Sequence, residues 1–227
     1  MVEPTIAVVV PVLDEARHLR QLLPELLGQA DFVVVSDGGS RDGSAELASD
    51  LGAHVVIGSP GRGRQLNRGA EAARHCGGLL FLHADTHLPP DGLAPIRKAL
   101  SKGAVGGGFL VRFDDPRRLM RFGERMVNLR TRFLKVPLGD QAQFASRGAF
   151  DTAGGFRDWP ILEDLDFVRR LGKLGPLHIV DRAVTTSARR FQDRGILRTV
   201  ALNWLIVALY SLGVPPRRLA HLYDRNR

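Results

Sequence analysis

The 227-residue chain has a single cysteine, Cys76, so it forms neither an intrachain disulfide nor a thiolate metal cluster. Such a chain suits a reducing compartment, and its expected location is the cytoplasm. Aromatic residues make up only 7% and are not interleaved with the basic ones. Single-strand stacking platforms need that interleaving, so nucleic acid is not an expected partner. No apolar run reaches the roughly 20 residues that span a bilayer. Near the start, Val8-Val9-Val10 is too short for the core of a secretory signal, and Glu3 precedes it instead of a basic residue.

What the chain does have is positive charge, 32 Lys and Arg against 24 Asp and Glu, a net +8. That balance favours polyanionic partners such as phosphorylated substrates or an anionic lipid surface. Hydrophobic content of 44% and charged content of 25% are those of an ordinary globular chain. The length suffices for one sizeable α/β domain.

Short β-branched apolar runs alternate with helical patterns through the first half. Ile6 to Val12, Phe32 to Ser36, Val55 to Gly58 and Leu79 to His83 read as strands. Leu19, Leu22, Leu23, Leu26 and Leu27 recur at helical spacing, with Pro24 as a possible kink. Helices are also predicted around Ser44–Leu51, Arg64–Arg74 and from Pro89 to Leu100. This alternation implies a mainly parallel, Rossmann-like sheet flanked by helices. In such sheets ligands bind beyond the carboxyl ends of the strands. Further on, Gly106–Phe113, Gln143–Ala145 and His178–Thr185 read as strands, Leu119–Phe133 as a basic helix and Ile161–Leu171 as an acidic helix start. The chain divides into residues 1–195 and a tail, 196–227, with a nearly all-apolar helix from Thr199 to Leu212. That helix has two readings. Either it packs on the domain or at a homodimer interface, or it is an interfacial anchor whose flanking arginines meet anionic headgroups.

Acidic residues follow three of the strands: Asp14-Glu15, Asp37 and Asp85. Each alone is an ordinary capping or turn residue. A fourth cluster, Glu163-Asp164 with Asp166, opens a helix, where acids also complement the dipole. In context these segments resemble glycosyltransferase family 2, the large inverting GT-A group. Pro11-Val12-Leu13-Asp14-Glu15 is similar to its opening strand motif, and Ser36 to Ser44 to its second. Leu82-His83-Ala84-Asp85-Thr86 stands where the family carries a metal-binding Asp-X-Asp. Gly139-Asp140-Gln141 and Glu163 to Asp166 resemble its acceptor-side and catalytic motifs. Pro60-Gly61-Arg62-Gly63-Arg64-Gln65 is similar to a signature of small bacterial family members.

The resemblance implies a GT-A fold and roles for these residues. Asp164, with Glu163 beside it, supplies the catalytic base that takes the acceptor proton. Asp37 meets the nucleotide base; Pro11, Asp14 and Glu15 lie at the nucleoside. Gly61, Arg62, Gly63, Arg64 and Gln65 form a basic loop at the donor, with Arg189 and Arg190 as further diphosphate contacts. Asp140 and Gln141 line the acceptor pocket. Asp85 binds Mg²⁺ or Mn²⁺, supplemented by His87, while His83 replaces the motif's first acid. The expected partners are a nucleotide-diphosphate sugar, UDP favoured, and a small-molecule or lipid acceptor, with peripheral membrane contact and a homodimer as further options. Rival readings are a sugar-nucleotide pyrophosphorylase and a catalytically degenerate binding module. The first expects its glycine-rich loop directly after the first strand, where Pro11 to Glu15 stands instead. The second turns on His83.

Overall fold

The computed structural model describes residues 3–189 and 196–224. Four strands, β1 (Ile6–Val12), β2 (Phe32–Asp37), β3 (His54–Ile57) and β4 (Gly78–Phe81), run parallel. Between them lie α1 (Ala16–Leu27), α2 (Ser44–Asp50) and α3 (Arg62–Ala72). The chain continues through β5 (Thr86–His87), α4 (Leu93–Ser101), β6 (Gly106–Phe113) and α5 (Arg118–Leu134). After a 3₁₀ turn at Gly139–Gln141 come β7 (Phe144–Ser146), α6 (Arg147–Ala153), α7 (Glu163–Leu171), β8 (Leu177–Thr186), α8 (Ile196–Ser211) and α9 (Pro216–Asp224). The strands form one sheet in the order β3-β2-β1-β4-β7-β6-β8-β5. The β7 strand is antiparallel to both neighbours, β6 and β8 are parallel, and β5 closes the edge antiparallel to β8.

The unbroken apolar run of β1 follows from burial on both faces. Ile6, Val8, Val10 and Val12 join the cluster with Leu19, Leu22, Leu23 and Leu26 of α1. Ala7 and Val9 point the other way, against Leu66 and Ala70 of α3 and Phe167 and Leu171 of α7. Helix α1 runs on through Pro24 with its leucines buried. A ring cluster fixes the approach to α7: Phe156 lies 4.2 Å from Phe167 and 4.8 Å, edge-on, from Phe81.

The edge of β6 has a different support. It pairs with β7 only at Gly106 and Gly107. Beyond that point side chains take the place of a strand. Gln141 donates to the Phe109 carbonyl at 3.0 Å. Asn128 of α5 bridges both the N–H and the C=O of Val111, each at 2.8 Å. Glu124 accepts from the Phe113 N–H and Arg121 donates to its carbonyl. Helix α5 therefore turns a polar face inward.

Several boundaries differ from the sequence reading. The basic Gly-Arg-Gly-Arg-Gln segment is the first turn of α3 and not a loop, and α4 begins at Leu93. Helices α6 and α9, which the sequence reading did not include, start after a Ser146 cap and at Pro216. Tyr210 of α8 stands edge-on to Trp159 at 6.2 Å and under Arg169. Among the described residues no helix is long and apolar enough to cross a membrane.

Candidate active site

The loops after β1 and β2 are laced together by backbone and short side chains. The Asp14 carboxylate accepts from the Arg41 N–H, and Ser40, Ser44 and Asp42 accept from the N–H groups of Asp14, Glu15 and Ala16. Asp14 itself sits in the left-handed region, φ 57°. Expected at the nucleoside, it is exposed and also locks the two loops together. Glu15, half-buried, holds His18 at 2.6 Å.

Asp37, at the carboxyl end of β2, is fully buried. Its Oδ1 accepts from Gly39 and Ser40 N–H at 2.6 and 2.7 Å, whereas its Oδ2 is buried without a partner. An orphaned carboxylate oxygen is costly unless a ligand N–H completes it. Arg68, which the sequence reading missed although it stands one turn beyond Arg64, donates to the Asp37 carbonyl at 2.8 Å. Burial pushes its guanidinium pKa down and the Asp37 charge counters that.

The first turn of α3 ties this end of the sheet to α7. Gln65, expected at the donor, spends its amide on the carbonyls of Val12 and Ser36 and the N–H of Gly61. It is a buried strut joining β1, β2 and the loop. Gly61 needs its glycine at φ 131°, and a β-carbon on Gly63 would lie 2.3 Å from the Arg157 carbonyl oxygen, so α3 packs directly on that segment. Arg64 pairs with the exposed Asp158 at 2.9 Å. Arg62 reaches Glu163 at 3.2 Å.

Glu163 was expected to take part in catalysis, but its side chain is only 2% exposed and it faces Arg62. Burial pushes its pKa up, Arg62 opposes that, and Asp164 adds to it. Asp164 is the presented carboxylate. Its Oδ2 accepts from the Gly139 N–H at 2.7 Å and its Oδ1 from the Leu165 N–H at 2.7 Å. Gln143 holds the Asp164 carbonyl and the Pro137 carbonyl together. His83 completes this corner: a β-carbon on Gly139 would lie 3.1 Å from both His83 Nε2 and Asp164 Oδ2. Gln141, expected to line an acceptor pocket, is instead fully buried, accepting from Thr131, Arg130 and Leu138 N–H. Asp140 keeps a half-buried place beside Arg130, whose desolvated charge it and Asp164 offset.

Asp85 sits half-buried in the turn after β4, with a long 3.4 Å contact from Thr86. His87, expected to supplement it, directs its Nδ1 to Glu25 of α1 at 2.9 Å, which leaves Nε2 as the nitrogen able to meet a metal. Among the described residues no three His, Cys, Asp or Glu side chains are grouped to hold a metal. A lone carboxylate nevertheless fits Mg²⁺ or Mn²⁺ held largely by substrate phosphates and water. Pro11 lies half-buried in β1, opposite Ser36. Arg189 is exposed, and Arg190 lies outside the described residues. A surface depression of about 510 Å³ lined by Asn67, Glu71, Arg147 and Asp151 flanks the C-terminal end of α3, away from these carboxylates.

A mainly parallel sheet switching to antiparallel strands, with acids beyond its carboxyl edge, is a domain of the GT-A fold. Solved structures share this fold. A mannosyltransferase from Pyrobaculum calidifontis, in complex with GDP-Man and Mn²⁺, is 20% identical with a TM-score of 0.64, covering 82% of this chain and 57% of that one. Glucosyl-3-phosphoglycerate synthase from Mycobacterium tuberculosis, with Mn²⁺, UDP and glucosyl-3-phosphoglycerate, is 21% identical with a TM-score of 0.65, covering 93% and 81%. The glycosyltransferase AglJ of Haloferax volcanii is 30% identical over 133 residues, 54% of this chain and 43% of that protein. The chain thus spans less than two thirds of the length of two of these relatives. The profile of Glycosyl transferase family 2 matches residues 7–157, and the chain belongs to that family.

Proposed function

We propose that this chain transfers a sugar, with inversion, from a nucleoside diphosphate donor to an acceptor hydroxyl. The observation that carries the proposal is the unpartnered, buried Asp37 Oδ2 at the carboxyl end of β2. It accepts a base N–H, which uracil and guanine both offer; UDP-sugar is the donor favoured by the family resemblance. The relatives seen with GDP-Man and with UDP support a diphosphate donor.

Asp164 takes the acceptor proton. The Gly139 and Leu165 N–H groups orient its carboxylate, and the Arg62–Glu163 pair anchors the turn that presents it. Asp85 holds Mg²⁺ or Mn²⁺, which supplies Lewis-acid neutralisation of the departing diphosphate. Asp140 stands at the acceptor side. A small molecule or a lipid supplies the hydroxyl, and the enzyme works in the cytoplasm, monomeric or as a homodimer, with a peripheral membrane contact.

A thermal-shift series with UDP, GDP, ADP, CDP and TDP, each with and without Mn²⁺, tests this without knowledge of the acceptor. One diphosphate raises the midpoint in a metal-dependent way, and Asp85→Ala abolishes the metal dependence. No shift with any nucleotide leaves the chain a degenerate member of its family.

A further inference from the structure

We infer that the outward face of α5 docks on an anionic lipid surface. Leu119, Phe122, Met126, Leu129 and Phe133 recur at spacings of three and four, so they form one stripe. They are 44%, 61%, 48%, 49% and 77% exposed. A helix ordinarily buries such a stripe. Here the inward side is taken by Glu124, Asn128 and Thr131, which complete β6 and the Gln141 strut, with only Met120 and Val127 packed beside them against Val111 and Phe113. The helix is amphipathic with its apolar side facing water, and completing β6 leaves no other orientation for it.

Charge selects the occupant. Arg118, Arg125 and Arg132, seven residues apart, line one flank of the stripe. Arg132 pairs with Asp181, while Arg118 and Arg125 make no ion pair among the described residues. The one acid of the helix, Glu124, is turned inward to Phe113. Two copies of this helix brought together oppose no outward acidic side chain of their own to Arg118 and Arg125, and the one acid beside the stripe, Asp181, is already paired with Arg132. A bilayer with anionic headgroups meets both features at once: arginines at the phosphates and bulky apolar side chains in the headgroup–acyl boundary. This surface is separate from the apolar helix α8.

The location gives the docking a use. Phe133 stands three residues beyond Arg130, whose guanidinium donates to Gln141 in the turn that carries Gly139 and Asp140. A membrane under α5 therefore lies next to the turn that presents Asp164, and the acceptor is a lipid-borne hydroxyl. This last step alone rests on the proposed glycosyl transfer.

The experiment is co-sedimentation of the full chain with phosphatidylcholine vesicles, with and without phosphatidylglycerol. The wild type partitions onto the anionic vesicles and is released by salt. The double variants Phe122→Ser/Phe133→Ser and Arg118→Glu/Arg125→Glu each weaken partitioning about tenfold or more, while the thermal shift with nucleotide and Mn²⁺ stays unchanged as a readout of the fold. A wild type that ignores anionic vesicles overturns the inference. So does undiminished binding by both variants, which assigns the contact to another face such as Leu205 of α8 with Leu212 just beyond it. A wild-type dimer that Phe122→Ser/Phe133→Ser turns into a monomer, without vesicle binding, gives the face to a second copy and overturns it equally. Because vesicle binding and the nucleotide shift are read separately, failure of one does not implicate the other.

Discussion

The imidazole of His83 and the carboxylate of Asp164 meet across Gly139, their Nε2 and Oδ2 each 3.1 Å from where a β-carbon on that glycine would sit. The φ of Gly139 is ordinary, so the glycine is needed for space and not for backbone conformation. A methyl group there pushes both functional groups aside by a few tenths of an ångström. Gly139→Ala is expected to lower kcat by about tenfold or more, as small misplacements of reacting groups do. The unfolding midpoint should hardly move. Steady-state kinetics beside a melting curve check this, and an unchanged kcat would place the reaction elsewhere.

Asp164→Asn keeps the size and the acceptor oxygen for the Gly139 N–H but removes the base. The expected loss in kcat is about 10² to 10⁴-fold. Nucleotide diphosphate affinity should be retained, which calorimetric titration measures directly.

Glu163 ties stability to pH. Its pKa is raised, chiefly by burial, above the ordinary 4.5. Its stabilising, neutral form is fully present below that value, and the contribution is lost as pH rises through the folded-state pKa. Glu163→Gln should flatten this decline. Urea midpoints of wild type and variant, followed upward from acid pH, should separate progressively in the variant's favour. Parallel curves would mean that Arg62 compensates the buried charge fully.

Gln65→Leu preserves volume yet strips the Ser36 carbonyl and the Gly61 N–H of the Gln65 amide, while the Val12 carbonyl loses one donor and keeps the Gly38 N–H. A cost of about 2–3 kcal/mol is expected, measured by chemical denaturation. Because the strut joins the ends of β1 and β2 to the loop before α3, nucleotide affinity should fall as well.

Asn128→Leu tests the side-chain ladder along β6. It strips the N–H and C=O of Val111 of their partners, so about 2–3 kcal/mol should be lost. A neutral result would show that water replaces the amide at that edge.

Much of the nucleotide half was legible in the sequence. The continuous run of β1 and the leucine spacing of α1 are local patterns with one good solution, a strand buried on both faces beneath a one-sided helix. The acids after β2 and β4 could be placed at the binding edge because a parallel sheet always turns its carboxyl ends the same way. The chemical tasks of individual residues were less legible. Gln65 and Gln141 stand in motif positions that suggest ligand contacts, yet both bond to backbone groups brought near only by folding. That His87 meets Glu25 of α1 through its Nδ1 is likewise a contact only the fold creates.

The sequence by itself determined the order of elements through β4, the family and the acids from which a site is made, because periodicity and strand-end chemistry act over a few residues. Only the tertiary structure decided which carboxylate is buried and which presented, with Glu163 turned to Arg62 and Asp164 to Gly139. It also decided which face of α5 meets water. The spacing from Leu119 to Phe133 marks an amphipathic helix, but on its β7 side β6 lacks a neighbouring strand beyond Gly107. Its unpaired backbone groups therefore draw the polar side inward and leave the apolar stripe outside.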